Sequence, residues 1–251
     1  MTNKHLFILT SAIKTSSGFA STGTDSEERF FQTLQTIDSI KSRVKEVEIW
    51  LCDSSIESLD FYMTNIINGY DFVKLFDFSG HKRVIEIRNE VDSFRIPVID
   101  EVKPFYRLGF IKNLTELYVL SNMLEKIEES KYKRVFKISG RYFLYNQFDL
   151  NFHNTPQTIT LMPEKKSTLC NKNVGSDYYR HCAAWSFCPS LINDVKNIFL
   201  NIQNYMSAQI QSGLLGDIEH GLYLHTPKDM ILEVQKFGLI GKVNNKKFGW
   251  F

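Results

Sequence analysis

The hydrophobic pattern at the start of the chain predicts a strand, a loop and a helix. Residues 5–13 form a continuous apolar run, which is typical of a strand buried on both faces. A loop of small polar residues follows at 14–25. Beyond it, apolar residues recur every three or four positions, which predicts an amphipathic helix capped by Asp25 or Ser26.

The alternation of strands and helices continues into the next part of the chain. A buried strand is predicted at 47–52, a helix at about 56–67 that ends at Gly69, and a third strand at 72–76. This β-α-β-α-β order predicts a parallel sheet with right-handed crossovers. Ligands of such sheets bind at the carboxyl ends of the strands, so the loops after the first two strands form the first candidate site.

The middle of the chain is less regular, and the second half mixes strands and helices. Residues 77–106 carry mixed charges, two prolines and no clean period, which predicts a mobile or partly ordered excursion. The other predicted elements are a helix at 109–128, strands at 132–139, 158–162 and 183–187, and a helix at 190–210. No internal repeat and no linker is evident, so we expect a single domain over residues 1–251.

Composition and charge exclude several classes of protein. The chain has 251 residues, of which 43% are hydrophobic, and a formal net charge of +2. This balance gives no reason to expect nucleic-acid binding, which needs a strong basic excess. No apolar run approaches the roughly 18–20 residues that cross a bilayer. The four cysteines form no CxxC pair, which favours reduced thiols and a cytoplasmic location.

Sequence motifs of several large enzyme classes are missing. The sequence contains no glycine-rich dinucleotide fingerprint, no P-loop, no nucleophile elbow and no HExxH zinc motif. Their absence argues against a dinucleotide-binding dehydrogenase, a P-loop nucleotidase, an α/β-hydrolase and a zincin.

Two predicted strand ends carry the clearest chemistry. Asp53 follows a buried strand, where its carboxylate can accept hydrogen bonds from a ribose or a base, or form an Asx turn or a helix cap. Ser139, Gly140 and Arg141 close the strand at 132–139. The glycine allows a ligand to approach the backbone, and the planar guanidinium suits phosphate oxygens. The alternative for Arg141 is an ion pair with a surface acid.

Three short blocks resemble GT-A nucleotide-sugar glycosyltransferases, and together they span roughly residues 5–150. The third block is similar to a bacterial and viral group that acts in surface-polysaccharide synthesis. The blocks are residues 29–40, residues 49–55, and residues 137–142 with Phe148 and Asp149 shortly after. The resemblance implies an α/β, GT-A-like (Rossmann-like) fold whose mostly parallel central sheet is flanked by helices.

The resemblance also implies a function. The expected enzyme transfers a hexosyl or deoxyhexosyl group from a nucleotide sugar, with a UDP-sugar as the first expectation, to a glycan or lipid-linked acceptor. Residues 1–150 would form the nucleotide-sugar half and residues 151–251 the acceptor half. Ser11 and Ala12 would lie near the base or ribose, with Asp53 beside them. Two alternatives remain open: a nucleotidyl- or phosphate-transferring α/β enzyme, and a non-catalytic nucleotide- or glycan-binding domain.

The chain departs from the family at the metal motif. GT-A enzymes usually place Asp-x-Asp at the end of the fourth strand, where this chain has Ser139, Gly140 and Arg141. Either no metal is required, and cations stabilise the departing diphosphate, or Mn²⁺ or Mg²⁺ binds at a displaced site. The candidate cations are Arg29, Lys112, Lys137 and Arg141. The displaced metal site would use Asp149, with Asn151 and His153 on one face of a strand.

An acid near the late helix is the candidate general base. Glu219 is the first choice and Asp217 the second, because GT-A enzymes tend to supply an acidic residue at this place. The alternative is a solvated acid in the first turn of a helix. His181 is expected in the substrate-binding set, near the acceptor side. The basic, aromatic tail at 242–251 has two interpretations, a peripheral membrane contact or a packed terminus.

Overall fold

A computed structural model describes residues 4–15, 25–93, 104–167, 174–243 and 246–250. The strands are β1 (Lys4–Ser11), β2 (Val47–Asp53), β3 (Val73–Asp77), β4 (Tyr132–Ser139), β5 (Tyr142–Leu144), β6 (Ile159–Leu161), β7 (Lys165–Lys166), β8 (Tyr178–Tyr179), β9 (Ala184–Phe187), β10 (Ile231–Glu233), β11 (Leu239–Val243) and β12 (Lys246–Trp250). The helices are α1 (Ser26–Arg43), α2 (Phe61–Asn68), α3 (Lys82–Ser93), α4 (Pro104–Leu124), α5 (Leu150–His153), α6 (Ile192–Gln211) and α7 (Ile218–His225).

The central sheet has seven strands in the order β10-β6-β9-β4-β1-β2-β3. The strands β4, β1, β2 and β3 are parallel, as the opening pattern predicts. The strand β9 is antiparallel to both of its neighbours, so the residues before it lie at the carboxyl edge of β4. The predicted α/β class, with a mostly parallel sheet flanked by helices, is therefore confirmed.

Both faces of the sheet are covered, which explains the continuous apolar run in β1. Leu6 and Ile8 belong to the core cluster that α4 and α6 complete. Phe7 and Leu9 point to the opposite face and pack with residues of α1 and α2. Successive side chains of a strand alternate between faces, so a strand buried on both sides has no polar period.

Local caps set where the early helices begin. Asp25 caps α1, since its side chain accepts a hydrogen bond from the backbone N–H of Glu28 at 2.7 Å. Asp60 does the same for α2 through Met63 at 2.9 Å, so this helix begins later than the predicted residue 56. Both caps satisfy backbone donors that the first turn of a helix leaves unpaired. Gly69 ends α2, as predicted.

The predicted irregular excursion at 77–106 is wrong over part of its length. The helix α3 lies within it, with Val84 and Ile87 buried one turn apart. The abundance of charged residues hides this short apolar stripe, and Arg83 bonds to Glu90 at 2.6 Å along the exposed side. Residues 94–103 lie outside the described residues.

The end of the chain forms a hairpin rather than an isolated tail. The strands β11 and β12 pair with each other, and β11 also pairs with β5. The backbone of residues 239–243 and 246–250 is therefore paired within a sheet, while the question of membrane contact stays open. Within the described ranges, no helix is both long enough and apolar enough to cross a bilayer.

A buried histidine pair lies near the amino-terminal ends of β1 and β4. Burial, with the charges of Lys133 and Arg134, lowers the pKa of His5 to about 4. Burial, with the charge of Arg134 and His5, lowers the pKa of His153 to about 3. His153 also contacts the ring of Phe136 and bonds to a serine hydroxyl, so the folded protein holds both rings neutral.

We expect the protein to lose stability as the pH falls below about 6.5. Unfolded histidine takes up a proton near that pH, whereas the folded protein resists protonation until pH is near 4 for His5 and near 3 for His153. Each histidine should lower the free energy of unfolding by about 1.4 kcal/mol per pH unit in this window. Urea unfolding between pH 7 and 4.5 measures the slope.

The matched variants for this experiment are His153→Gln and His81→Gln. The first removes one buried titrating ring and should reduce the slope by about half. The second removes an exposed histidine and is the control for the loss of an imidazole ring as such. An unchanged slope in His153→Gln would contradict the assignment.

Candidate active site

A cavity of about 450 Å³ opens at the carboxyl ends of β1, β2 and β4. Residues 10–12, 139–141 and 181–183 supply one side, and α4 supplies the opposite side through residues such as Lys112 and Glu116. The antiparallel direction of β9 brings residues 181–183 to this edge. The site therefore forms where the parallel topology predicts it.

Arg29, Lys112 and Arg141, the cations that the sequence analysis expects at this edge, all line the cavity, together with Lys14 and Arg88. Arg29 lies on α1 and donates to the carbonyl oxygen of Ala12 at 3.1 Å. Burial and the charge of Arg141 lower the pKa of Arg29 to about 10. Within the described part of the chain, neither Lys112 nor Arg141 has an ion pair with a carboxylate. This arrangement favours an anionic ligand.

Glu219, at the start of α7, lines the cavity with His181. Its Oε1 atom accepts hydrogen bonds from the backbone N–H of Cys182 at 3.2 Å and lies 3.3 Å from Nδ1 of His181. Burial alone would raise the pKa of Glu219, but His181, the backbone N–H and Lys112 outweigh it and hold the pKa below its ordinary value. The carboxylate is therefore charged at neutral pH.

Lys137 is part of a buried ion pair and not a cation of the cavity. Its side chain is 1% exposed and its Nζ atom lies 2.5 Å from Oε1 of Glu116. It also donates to the hydroxyl of Ser139 and to the carbonyl oxygen of Cys182. Thr10 donates to the same Glu116 oxygen at 2.8 Å. The predicted role of Lys137 in binding a diphosphate is therefore wrong, because its charge is already neutralised beneath the cavity.

Asp53 supports the loop and does not reach the cavity. Its carboxylate is fully buried and accepts hydrogen bonds from the backbone N–H groups of Ile13 at 3.0 Å and Ser55 at 3.1 Å. Burial raises its pKa, and these hydrogen bonds oppose that change. The predicted contact with a ribose is replaced by the turn-forming alternative.

The predicted backbone positions Ser11, Ala12, Ser139 and Gly140 all line the cavity. The glycine also has a packing role, since a Cβ atom there would lie 3.2 Å from the side chain of Ser11 and 3.3 Å from Thr33. The close approach at Gly140 is therefore between β4, β1 and α1, and it lets the strand ends converge.

Two other predicted residues lie outside the cavity. Asp217 caps α7 by accepting from the backbone N–H of His220 at 2.8 Å, and the same oxygen lies 2.8 Å from that ring's Nδ1. Asp149 caps the short helix α5 through the N–H of Asn151 at 2.9 Å. His153 points into the core, so the proposed metal site on a strand is wrong: the segment is helical and its side chains diverge.

The residues at the strand edge do not fit a divalent cation by themselves. In the ranges that the structure describes, no three His, Cys, Asp or Glu side chains are grouped to hold a metal ion. The two carboxylates that line the cavity, Glu116 and Glu219, already have donors on one oxygen each. The position where a metal ligand would follow β4 holds Arg141, which repels cations.

Two side chains that line the cavity escape sequence reasoning. Glu116 lies within the apolar stripe of α4, but it is four residues after Lys112 and so shares its face of the helix. That spacing is the signal by which it could be found. Arg88 lies in α3, within the segment predicted to be irregular. It lines the cavity and donates to the carbonyl oxygens of Ser54 at 2.8 Å and Ser55 at 2.9 Å.

Comparisons with known proteins yield structural likenesses only. No protein-family model and no curated protein matches the chain. The chain is similar to the galactosyltransferase LgtC in complex with donor and acceptor sugar analogues, with 9% identity, a TM-score of 0.49, and coverage of 92% of this chain and 73% of that one. It is also similar to the apo bifunctional glycosyltransferase WbbM, with 9% identity, a TM-score of 0.43, and coverage of 93% of this chain and 38% of that one. A third similar structure is the glycosyltransferase GlyE of Streptococcus pneumoniae TIGR4, with 9% identity, a TM-score of 0.44, and coverage of 94% of this chain and 46% of that one.

These three proteins are named as glycosyltransferases.

The buried pair predicts a characteristic pattern of stability. Lys137→Met should cost about 3–5 kcal/mol, because it leaves the carboxylate of Glu116 buried without its counter-charge. Adding Glu116→Gln should recover much of that loss, since the second change removes the uncompensated charge. Urea unfolding of both single variants and the double variant measures the coupling. Additive losses in the double variant would contradict the pairing.

Proposed function

We propose that the chain is a glycosyltransferase that moves a sugar from a nucleotide sugar to a glycan or lipid-linked acceptor. The observation that carries the proposal is the cavity at the strand edge, which is lined by the cations Lys112, Arg29 and Arg141 and by a charged carboxylate, Glu219, beside His181. A diphosphate leaving group needs the cations, and an attacking hydroxyl needs the base.

The diphosphate of the donor binds among the three cations. Negative charge develops on the leaving phosphate as the bond to the sugar breaks, so cations placed there stabilise the transition state more than the ground state. Arg141 follows Gly140 just after the end of β4, and Arg29 lines the same cavity from α1. Lys112 approaches from α4. In this proposal the side chains hold the diphosphate without a divalent cation.

The nucleoside lies toward the ends of β1 and β2. Ser11 and Ala12 supply backbone there, and Ile56 supplies an apolar wall. We expect a UDP-sugar first, and a hexosyl or deoxyhexosyl group as the part transferred. Three described cysteines are free thiols, which supports the predicted cytoplasmic setting.

Glu219 acts as the general base. Its Oε1 atom is held by Cys182 and His181, which leaves Oε2 to take the proton of the acceptor hydroxyl. The hydroxyl oxygen then attacks the anomeric carbon of the sugar, and the bond to the diphosphate breaks. A single displacement of this kind inverts the anomeric centre. The lowered pKa keeps the carboxylate ready as a base throughout the neutral range.

The structure does not favour the nucleotidyl-transfer alternative. That chemistry would need metal-binding carboxylates near Asp53, whose oxygens are instead occupied by backbone N–H groups.

Binding of the donor should depend on the cations of the cavity. Arg141→Ala and Lys112→Ala should each weaken binding of a nucleoside diphosphate by about 10–100-fold, because each removes a charge-assisted contact. Lys126→Ala, at an exposed position outside the cavity, is the control and should bind as the wild type does. Calorimetry with UDP, GDP and dTDP, in Mn²⁺ and in EDTA, measures the effect. Loss of all binding in EDTA would contradict binding by side chains alone.

The rate of transfer should depend on the carboxylate of Glu219. Glu219→Gln should keep donor affinity within about threefold and lower the transfer rate by about 10²–10⁴-fold, the usual contribution of a general base. Asp217→Asn is the matched control, because asparagine caps a helix as well as aspartate. Release of nucleoside diphosphate from a panel of sugar nucleotides with glycan acceptors is the readout. A large loss in Asp217→Asn with little loss in Glu219→Gln would reverse the two roles.

A further inference from the structure

The strands β5, β11 and β12 form a three-stranded sheet, and one row of paired residues across it contains only one side chain. Tyr142 on β5 is paired directly with Gly241 on β11, and Gly241 is paired with Gly249 on β12. Directly opposed residues on neighbouring strands point to the same face of a sheet. Two glycines therefore lie beside one tyrosine, and they leave a space on this face of the sheet.

The ring of Tyr142 occupies that space. A Cβ atom at Gly241 would lie 2.5 Å from Cε1 and 3.0 Å from Cγ of the tyrosine, which is closer than real contacts allow. The backbone does not itself require glycine here, since the described glycines with positive φ are Gly175, Gly213 and Gly238. The requirement at position 241 is the space taken by the ring.

The same tyrosine lines the cavity, directly after Arg141. Burial raises the pKa of Tyr142 to about 12, the charge of Arg141 opposes this, and Cys182, Glu219 and Glu116 add to it. Arg141 and Glu219 line the same cavity as Tyr142, so the tyrosine shares that cavity with the proposed diphosphate site and the proposed base. At neutral pH it is protonated, so it can donate a hydrogen bond.

We infer that Tyr142 contacts the donor where the diphosphate meets the transferred sugar, and that Gly241 is a positioning residue that holds the ring there. This inference rests on the proposed glycosyltransferase function and adds a ligand-binding residue to it. The hydroxyl donates a hydrogen bond to a phosphate oxygen beside Arg141. The hairpin of β11 and β12, more than ninety residues from β5 in sequence, thereby shapes the donor side of the cavity.

The first test removes only the hydroxyl. Tyr142→Phe keeps the ring over Gly241, and the temperature of unfolding is measured beside the rate as the control for folding. We expect kcat/KM for transfer from the sugar nucleotide to fall by about 10–100-fold, the range for losing a hydrogen bond to a charged group. Wild-type kcat/KM in this variant would overturn the inference, because the tyrosine would then serve packing alone.

The second test asks whether Gly241 acts through the ring. Gly241→Ala should raise the Kd for the nucleoside diphosphate by about tenfold or more in the wild-type background. It should change the Kd by less than about twofold when Tyr142→Ala is already present, because no ring remains to be displaced. Gly80→Ala is the control, since a Cβ atom there meets nothing within 4 Å. An equal effect of Gly241→Ala in both backgrounds would overturn the positioning role.

Failure of the proposed function and failure of the Tyr142 contact give different results in these experiments. If the wild type binds none of UDP, GDP, dTDP or their sugars, both fail. If the wild type binds and Arg141→Ala weakens binding, while Tyr142→Phe equals the wild type, the glycosyltransferase proposal stands and the inference fails. Should Gly241→Ala not fold, the Tyr142→Phe result decides alone.

Discussion

The buried ion pair between Lys137 and Glu116 connects most of what surrounds the cavity. Lys137 belongs to β4 and Glu116 to α4, while Thr10 at the end of β1 and the carbonyl of Cys182 before β9 complete the network. Charges with so little water around them are stable only when their partners are correctly placed. The relative position of helix and strand ends is therefore tightly constrained, and the neighbouring Lys112 and Arg141 are presented from rigid elements.

Elements with a strong local signal could be predicted from the sequence. The strand at 132–139 agrees with the structure at both ends, and the Asp25 cap begins α1 as expected. The helix α3 could not be predicted, because Val84 and Ile87 are its few buried apolar residues among many charges. Its stability comes from packing on α4, a tertiary effect that a local pattern does not contain.

The candidate site was predictable as an edge of the sheet but not as a set of contacts. Topology alone places Arg141 and Ser11 there, and the structure agrees. Lys137 and Asp53 are chemically plausible ligands whose charges are instead used inside the protein. Which polar group faces a cavity and which faces a partner depends on side-chain direction, and residue type and spacing do not determine that direction.

The place of β4 in the sheet has a consequence for how the chain folds. Its neighbours are β1, which begins more than a hundred residues earlier, and β9, which begins more than forty residues later. Closing such long loops makes folding slow, and during synthesis the β9 side of β4 stays unpaired until the later strand leaves the ribosome. Until then the Lys137 ammonium also lacks the Cys182 carbonyl. Truncated chains that stop before β9 should therefore tend to aggregate through this open edge.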